Sequence, residues 1–579
     1  MQVHERTSIT RNLETEALEE IVSWPNAHPR AAFLLAGQFM AARRDQDGFD
    51  YFRGRAAARP DQPLFTSLEG LFQARAARTR PLTERIGQVQ EAVATLDRAV
   101  AQAPGLTTYF RGMVLSEAGD AEAAVRDLEW VVANAGMFPV GLQRGVHRSL
   151  ARSYAALGRE EAAGESLRRS GGGDGSAGDT VLVADYWMTA REGFHFTSPR
   201  LVEMAPNVHV AQGYDFADFA FVVTGAGVVA IDAGTVPANV EAALAALRSI
   251  TTRPITTVIL THAHWDHIGG LEALLGPGVE VIAQAEFPNE LRLANSRPLP
   301  WTGFFGTEAA RHFEAVPDRL VSARETVTVG GVEFVLHPVS GGETSDGLLI
   351  EMPSQGVVFT GDVMMPYLGA PFLPEGSAAG LFDTMRLIGE LEPRLLVHGH
   401  TGLTDSMTIE ALPGIEAALH DLHEHVTAAL EEGRELPEIL GDNHLPAVLR
   451  DHPAAAIPYL LMRENFTKRV HHQGSGYWRP NGDGMEVFTR DEWAAALDLV
   501  AGGGPEPFVA AARRLLEHDD LALALRILDL SLLRHPDSRP LVDLRSEALA
   551  RLRERHQALN PFKFIVYSDM AGAELPRAS

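Results

Sequence analysis

From residue 13 to about 170 the apolar residues recur three and four apart, the period of an amphipathic helix. Ala121-Glu-Ala-Ala-Val-Arg-Asp-Leu-Glu-Trp-Val-Val is a clear instance. Short turns separate such segments, so 1–170 is expected to be an array of helical hairpins. Ser170-Gly-Gly-Gly-Asp-Gly-Ser-Ala-Gly-Asp179 is too poor in side chains to pack, which makes 171–179 a linker. The pattern then changes to short apolar and β-branched runs bounded by Gly, Pro or Asp. Strands are expected at 208–210, 219–223, 227–232, 258–261, 279–283, 327–338, 348–352, 357–360 and 395–397, with a helix over 238–250. Strands alternating with helices across 180–410 imply an α/β sandwich whose site lies along one edge of the sheets. From about 411 the helical period returns and runs to 579, interrupted at Gly502-Gly-Gly-Pro. Helices are expected at 508–518, 521–534 and 541–559. The tail Asn560-Pro-Phe-Lys-Phe-Ile-Val-Tyr is apolar and expected to dock on a neighbour.

Composition changes this picture little. The 579 residues exceed one ordinary domain, and no run of about 20 apolar residues is available to span a bilayer. Met1-Gln-Val-His-Glu-Arg lacks a basic segment leading into an apolar one, so a cytoplasmic location is expected. Cysteine is absent, which removes disulfides and thiolate metal ligands. The net charge of −26, with no cluster of Lys and Arg, argues against a nucleic-acid partner. A small anionic substrate remains compatible, because the field of a metal site outweighs distant, screened charge.

Candidate chemistry centres on Thr-Val-Ile-Leu-Thr-His-Ala-His-Trp-Asp-His-Ile-Gly-Gly at 257–270. A buried strand runs into a loop carrying His262, His264, Asp266 and His267. Imidazole and carboxylate are suitable zinc ligands, and this spacing lets one pair face one cation and the other pair a second. Three further candidates stand at strand ends: Glu343 in Gly341-Gly-Glu-Thr-Ser, Asp362 in Phe359-Thr-Gly-Asp, and the His398-Gly-His400 pair. The expected assignment puts metal 1 on His262, His264 and Glu343. Metal 2 takes Asp266, His267 and His400, with Asp362 bridging and His398 as the alternative to His400. Trp265 inside the motif, and Tyr367 with the apolar run after it, are candidates to line the cleft. Arg292, Arg297 and Arg386 are candidates to meet an anion.

These residues resemble the metallo-β-lactamase superfamily. The resemblance implies an αββα sandwich holding two divalent metal ions, zinc with manganese or iron as alternatives, and a bridging hydroxide. Val229-Ala-Ile-Asp-Ala-Gly matches the strand and buried aspartate that precede the superfamily's metal motif. Most members carry histidine where this chain has Glu343. A glutamate there is typical of the alkylsulfatase branch, which also has two acidic ligands about as far apart as Glu343 and Asp362. Gly213-Tyr-Asp-Phe-Ala-Asp-Phe-Ala-Phe-Val resembles that branch's first strands, and the segment from Gly476-Tyr-Trp to Leu575 resembles its helical dimerisation domain. The turns Glu117-Ala-Gly-Asp and Ala156-Leu-Gly-Arg give the N-terminal array a loose likeness to tetratricopeptide repeats, whose period is about 34 residues.

Departures limit what the resemblance implies. The branch's sterol-carrier-like closing domain is not expected within this sequence, and the N-terminal array is not part of the branch's usual pattern. After Asp362 the chain reads Val-Met-Met-Pro-Tyr-Leu-Gly, without the branch's leaving-group histidine. The expected organisation is therefore 1–170 helical, 180–410 catalytic and 411–579 helical and dimerising. The expected function is dinuclear hydrolysis of a sulfate ester with an apolar part by a homodimer. Asp266 and Tyr367 are the catalytic candidates, Tyr367 as proton donor. The rival readings are hydrolysis of a lactone, thioester or phosphoester, and a helical scaffold with a vestigial metal site.

Overall fold

The computed structural model describes residues 13–135, 138, 142–170, 187–189, 193–296, 313–340, 342–364, 376–475, 485–557 and 559–572. The linker 171–179, Tyr367 with the run after it, Arg297 and the Tyr477-Trp478 pair lie outside these. The chain divides into two compact units. One is Tyr186–Asn481; the other joins Met1–Asp185 to Gly482–Ser579.

In the unit Tyr186–Asn481 two sheets form the body. Strands β1 (Trp187–Thr189) and β2 (Gly193–His195) make a small antiparallel pair. Strands β3 (Arg200–Ala205), β4 (Val208–Gln212), β5 (Phe219–Val223), β6 (Val228–Ile231), β7 (Ile255–Ile259), β8 (Glu280–Gln284) and β9 (Arg319–Val321) make a seven-stranded sheet in chain order. It is antiparallel from β3 to β6 and parallel from β6 to β9. Strands β10 (Glu325–Val329), β11 (Val332–Pro338), β12 (Leu348–Met352), β13 (Val357–Gly361) and β14 (Leu395–His398) make a five-stranded sheet, with only β13 and β14 parallel.

The two-residue period of β6 explains the layering. Val229 and Ile231 point into the core between the sheets with Ile259, Phe334, Ile350 and Phe359. Val228 and Ala230 point the other way, against Val240, Ala243 and Leu247 of the helix Pro237–Leu247. Each Val, Leu, Ile or Phe side chain among these, fully buried, contributes on the order of 1.5–3 kcal/mol. Helix Ala378–Glu390 packs with helices Leu412–Glu431 and Ala456–Gly474, Phe382 lying 5.8 Å from Phe466 between ring centroids. The architecture is the α/β sandwich with flanking helices.

Two expectations change. The single strand expected at 327–338 is a hairpin, because Gly330 and Gly331 both take left-handed φ (+54° and +86°) in a two-residue turn. The helical region set apart as 411–579 is shared: helices Leu412–Glu431 and Ala456–Gly474 belong to the sheet unit, and those from Arg490 onward to the other.

The second unit is helical throughout its described residues. Helices Leu106–Ala118 and Ala121–Ala133, and Leu142–Ala156 and Glu160–Arg169, pack as hairpins, with Gly119 and Gly158 left-handed at the turns. Helices Glu506–Glu517, Leu521–Arg534 and Arg539–His556 share a core of Phe508, Leu525, Leu528, Leu549 and Leu552. The apolar tail is a helix, Pro561–Met570, that buries Phe564 and Ile565 and packs Tyr567 and Met570 against that core. Helix Pro29–Ala41 packs on Arg539–His556, where the Gln38 amide donates to the Arg555 carbonyl at 2.8 Å. Among the described residues no helix is long and apolar enough to cross a membrane.

Candidate metal centre

Side chains from four strand ends or strand-end loops converge at one edge of the sandwich. His262 and His264 follow β7 and lead into the short helix Trp265–Ile268, which carries Asp266 and His267. Glu343 lies between β11 and β12, Asp362 just past β13 and His400 just past β14. Potential donor atoms of His262, His264 and Glu343 lie within 4.8 Å of one another, and so do those of Asp266, His267, Asp362 and His400. The rings of His262 and His267, one from each group, have centroids 4.2 Å apart, so the groups adjoin. All seven residues are buried except His264, whose side chain is 13% exposed.

Hydrogen bonds behind the groups set which ring nitrogen faces inward. The Thr261 hydroxyl donates to Asp232 Oδ2 (2.8 Å) and accepts from His262 Nδ1–H (3.0 Å), leaving His262 Nε2 free. His267 Nδ1–H donates to Asp232 Oδ2 at 2.9 Å, and His400 Nδ1–H donates to the Phe216 carbonyl at 3.0 Å. Asp232 also accepts from the Thr261 backbone N–H, and its left-handed φ of +60° aims it at both partners. The resemblance marks it as the buried aspartate before the motif; that it orients the motif follows from its contacts with Thr261 and His267. His264 differs, presenting Nδ1 at 3.2 Å from Glu343 Oε2.

His398 is engaged elsewhere. Its Nδ1 accepts from Thr360 Oγ1 (2.7 Å) and its Nε2–H donates to the Met407 carbonyl (2.9 Å), and burial lowers its pKa to about 4. It lies in neither group, while His400 does. Tyr367 and Arg297 fall outside the described residues. Arg386 is an exposed surface residue paired with Asp383, and Arg292 is exposed on the helix Phe287–Asn295.

Glycines let the backbones close in. A Cβ on Gly399 would fall 2.2 Å from Asp362 Oδ1 and 2.6 Å from His267 Cε1. One on Gly270 would fall 2.2 Å from the Ala233 carbonyl. Deeper in the fold, Asp215 accepts from the backbone N–H groups of Phe216, Thr235 and Val236, and burial raises its pKa to about 6. It holds the Gly213–Phe216 turn against the loop after β6. Sequence reading singled out that turn without assigning Asp215 this part.

The electrostatics are those of carboxylates and imidazoles pressed together. Burial would raise Glu343, but His264 and His262 hold it down to about 2. Burial likewise opposes the ionised form of Asp362, yet His400 and His267 hold it well below its ordinary range. Burial would lower His400, but Asp362 and Asp266 lift it to about 9. His267 is also raised, burial being outweighed by Asp266, Asp362 and Asp232.

These residues fit metal ions on a direct observation. His262 Nε2, His267 Nε2, Glu343 Oε2 and Asp362 Oδ1 are buried and have no hydrogen-bond partner. Each orphaned buried polar atom costs about 1–3 kcal/mol. His262 Nε2 and Glu343 Oε2 belong to the first group and His267 Nε2 to the second, so each group is costly unless a cation satisfies it. His/carboxylate donor sets of this kind suit zinc, manganese or iron.

Comparison with known proteins agrees with this geometry. Residues 213–400 match the model of the metallo-beta-lactamase superfamily. A hydroxyacylglutathione hydrolase of Rhodobacter capsulatus is 29% identical over 212 residues, covering 35% of this chain and 72% of that protein. The alkyl/aryl-sulfatase BDS1 of Saccharomyces cerevisiae is 20% identical over 399 residues, covering 62% of this chain and 61% of that one. Among solved structures, the inverting sec-alkylsulfatase Pisa1 from Pseudomonas sp. superposes with a TM-score of 0.52 at 19% identity, over 64% of this chain and 65% of its own. At that identity the likeness is one of fold. The strand-end histidines and carboxylates, the sandwich that presents them and the matching family model together make residues 213–400 a metallo-beta-lactamase superfamily domain.

Proposed function

We propose that this chain is a dinuclear metal-dependent hydrolase that cleaves a sulfate ester of an apolar alcohol. His262, His264 and Glu343 would hold one cation, and Asp266, His267 and His400 the other, with Asp362 between them. Divalent cations held there would lower the pKa of water from 15.7 to about 7 and so would make hydroxide available at neutral pH without a side-chain base. The chain's own part is positional: Asp232, Thr261 and the Phe216 carbonyl engage Nδ1 of three imidazoles, which turns Nε2 of each toward the carboxylates. Glu343 is the observation that carries the substrate class. It stands buried, 3.2 Å from both His262 and His264, where a histidine is usual in the superfamily and a glutamate in its alkylsulfatase branch. Its charge reduces the net positive charge of the loaded centre. A more electron-rich centre suits an ester whose own atom is strongly electrophilic, as sulfur in a sulfate ester is. The similarity to a sulfatase running over 399 residues, well beyond the metal domain, supports the same reading.

A second reading, thioester hydrolysis, is favoured by the higher identity of the metal-bearing segment to a hydroxyacylglutathione hydrolase. Turnover of matched sulfate esters and S-acyl thioesters by metal-loaded protein separates the two. Sulfate turnover is expected. Thioester turnover with inert sulfates would replace the first reading by the second.

The proposal includes a homodimer. The apolar tail packs on its own unit, and helix Arg490–Ala501 carries Trp493, Leu499 and Val500 at 51%, 82% and 87% exposure. An apolar face of that kind is costly in water. Light scattering should give a dimer that Trp493→Glu with Val500→Glu dissociates; a monomeric wild type removes this element of the proposal.

A further inference from the structure

Beside the metal centre stands a set of aromatic rings that the chemistry above does not use. Phe216 stacks on Trp265, with ring centroids 5.8 Å apart and planes 27° from parallel. Phe216 and Phe196 both meet the His400 ring at 64°, with centroids 4.9 and 5.5 Å away. Phe196 and Phe216 are 5.5 Å apart, and Phe194 lies 5.2 Å behind Phe196. The rings therefore form a continuous wall from Trp265, adjacent in sequence to His264, round to His400. Two features place this wall at the entrance. His264 is the only one of the seven candidate donors that is not buried, so solvent reaches the centre on its side. Trp265 and Phe196 are themselves half-buried, while Phe194 and Phe216 behind them are buried.

We propose that Trp265 and Phe196, backed by Phe216, form a subsite that selects an aromatic group on the substrate next to the reacting ester. The proposal rests on the reading of this metal centre as the catalytic site, but not on which ester it cleaves. Its physical content is ring geometry. An aromatic pair in an offset or edge arrangement gains interaction beyond the area it buries. An aliphatic ring of similar size gains only the burial. The wall is also held in place: Phe216 is fixed through its backbone, with its N–H donating to Asp215 and its carbonyl accepting from His400. Trp265 opens the short helix that carries Asp266 and His267. A ring seated on the wall would thus be set against the metal-bearing elements at little ordering cost.

The test uses two carboxylates that differ only in the ring, phenylacetate and cyclohexylacetate, titrated calorimetrically into the metal-loaded full chain. A carboxylate head carries neither a sulfate nor a thioester, so the result is independent of the ester class. Phenylacetate is expected to bind about three- to tenfold more tightly. Simple apolar burial would favour the more hydrophobic cyclohexyl ring or neither. Trp265→Leu and Phe196→Leu keep apolar bulk and should each reduce the preference, whereas Trp265→Phe should retain part of it. Metal content, measured on every variant, identifies any that has lost the centre; the Phe196 variant, outside the metal motif, carries the test if the Trp265 variants do. Equal or weaker phenylacetate binding by the wild type overturns the proposal. So does failure of both ligands to bind, or a preference that survives both leucine substitutions.

Discussion

At the scale of single residues the centre is a problem in unsatisfied charge. Glu343 lies between two imidazoles, and its ionised form is what they stabilise. Glu343→Gln keeps the shape and removes the charge, so metal affinity of the first group should fall and turnover with it. Equilibrium dialysis together with rate measurement checks this; unchanged values would mean that the carboxylate does not face the metal. Gly399 makes a steric counterpart. Its missing Cβ is space occupied by Asp362 and His267, so Gly399→Ala should empty the second group and leave the first, lowering metal content by about one ion per chain by elemental analysis. The metal-free protein should also show a particular pH dependence. The folded pKa of His400 is raised from 6.5 to about 9. The stability it contributes is fully present below 6.5 and is lost as pH rises through 9. Asp362, held low, contributes above its ordinary 3.8 and loses that contribution only as pH falls through its depressed value. Melting temperatures of stripped protein should therefore drop between about pH 6 and pH 9.5. Metal loading should shrink the drop, since the cation displaces the proton. A drop of the same size in both forms would refute this account.

At the scale of elements, the sequence made the strands that hold the metal residues legible because they are apolar and end abruptly. The runs at 348–352 and 521–534 coincide with β12 and a helix to the residue. What it concealed depends on contacts between distant segments. Nothing local separates His398 from His400; the difference is that Thr360 and the Met407 carbonyl take both nitrogens of His398. Strand β9 is short and mixed in exposure, so it carries no periodic signal. The hairpin joining β10 and β11 was readable in principle, as Gly330-Gly331 between β-branched runs, but the apolar residues on both sides masked the turn. It supports a comparison of two substitutions. A Cβ on Gly331 meets nothing, so Gly331→Ala carries only the left-handed backbone strain, about 1–2 kcal/mol. A Cβ on Gly330 also falls 2.2 Å from the Ala226 nitrogen. Urea midpoints should fall for both and further for Gly330→Ala; the reverse order would contradict the turn geometry.

At the scale of the whole molecule, one unit is inserted into another. The N-terminal helices complete their core with helices that return after Asn481. Ending the chain at residue 481 removes the helix against which Pro29–Ala41 packs, together with the acceptor of the Gln38 amide. Limited proteolysis should then cut within the first 170 residues far sooner, while metal content stays at the level of the intact chain. Undiminished resistance of that region would show that the early helices need no partner. The same arrangement sets an order of events on the ribosome. About 300 residues separate the two halves of the helical unit, and at 5–20 residues per second the nascent early helices wait roughly 15–60 s for their complement. During that interval the metal-bearing unit is the first that can finish folding. The enzyme's centre is thus able to form before the chain that carries it is complete.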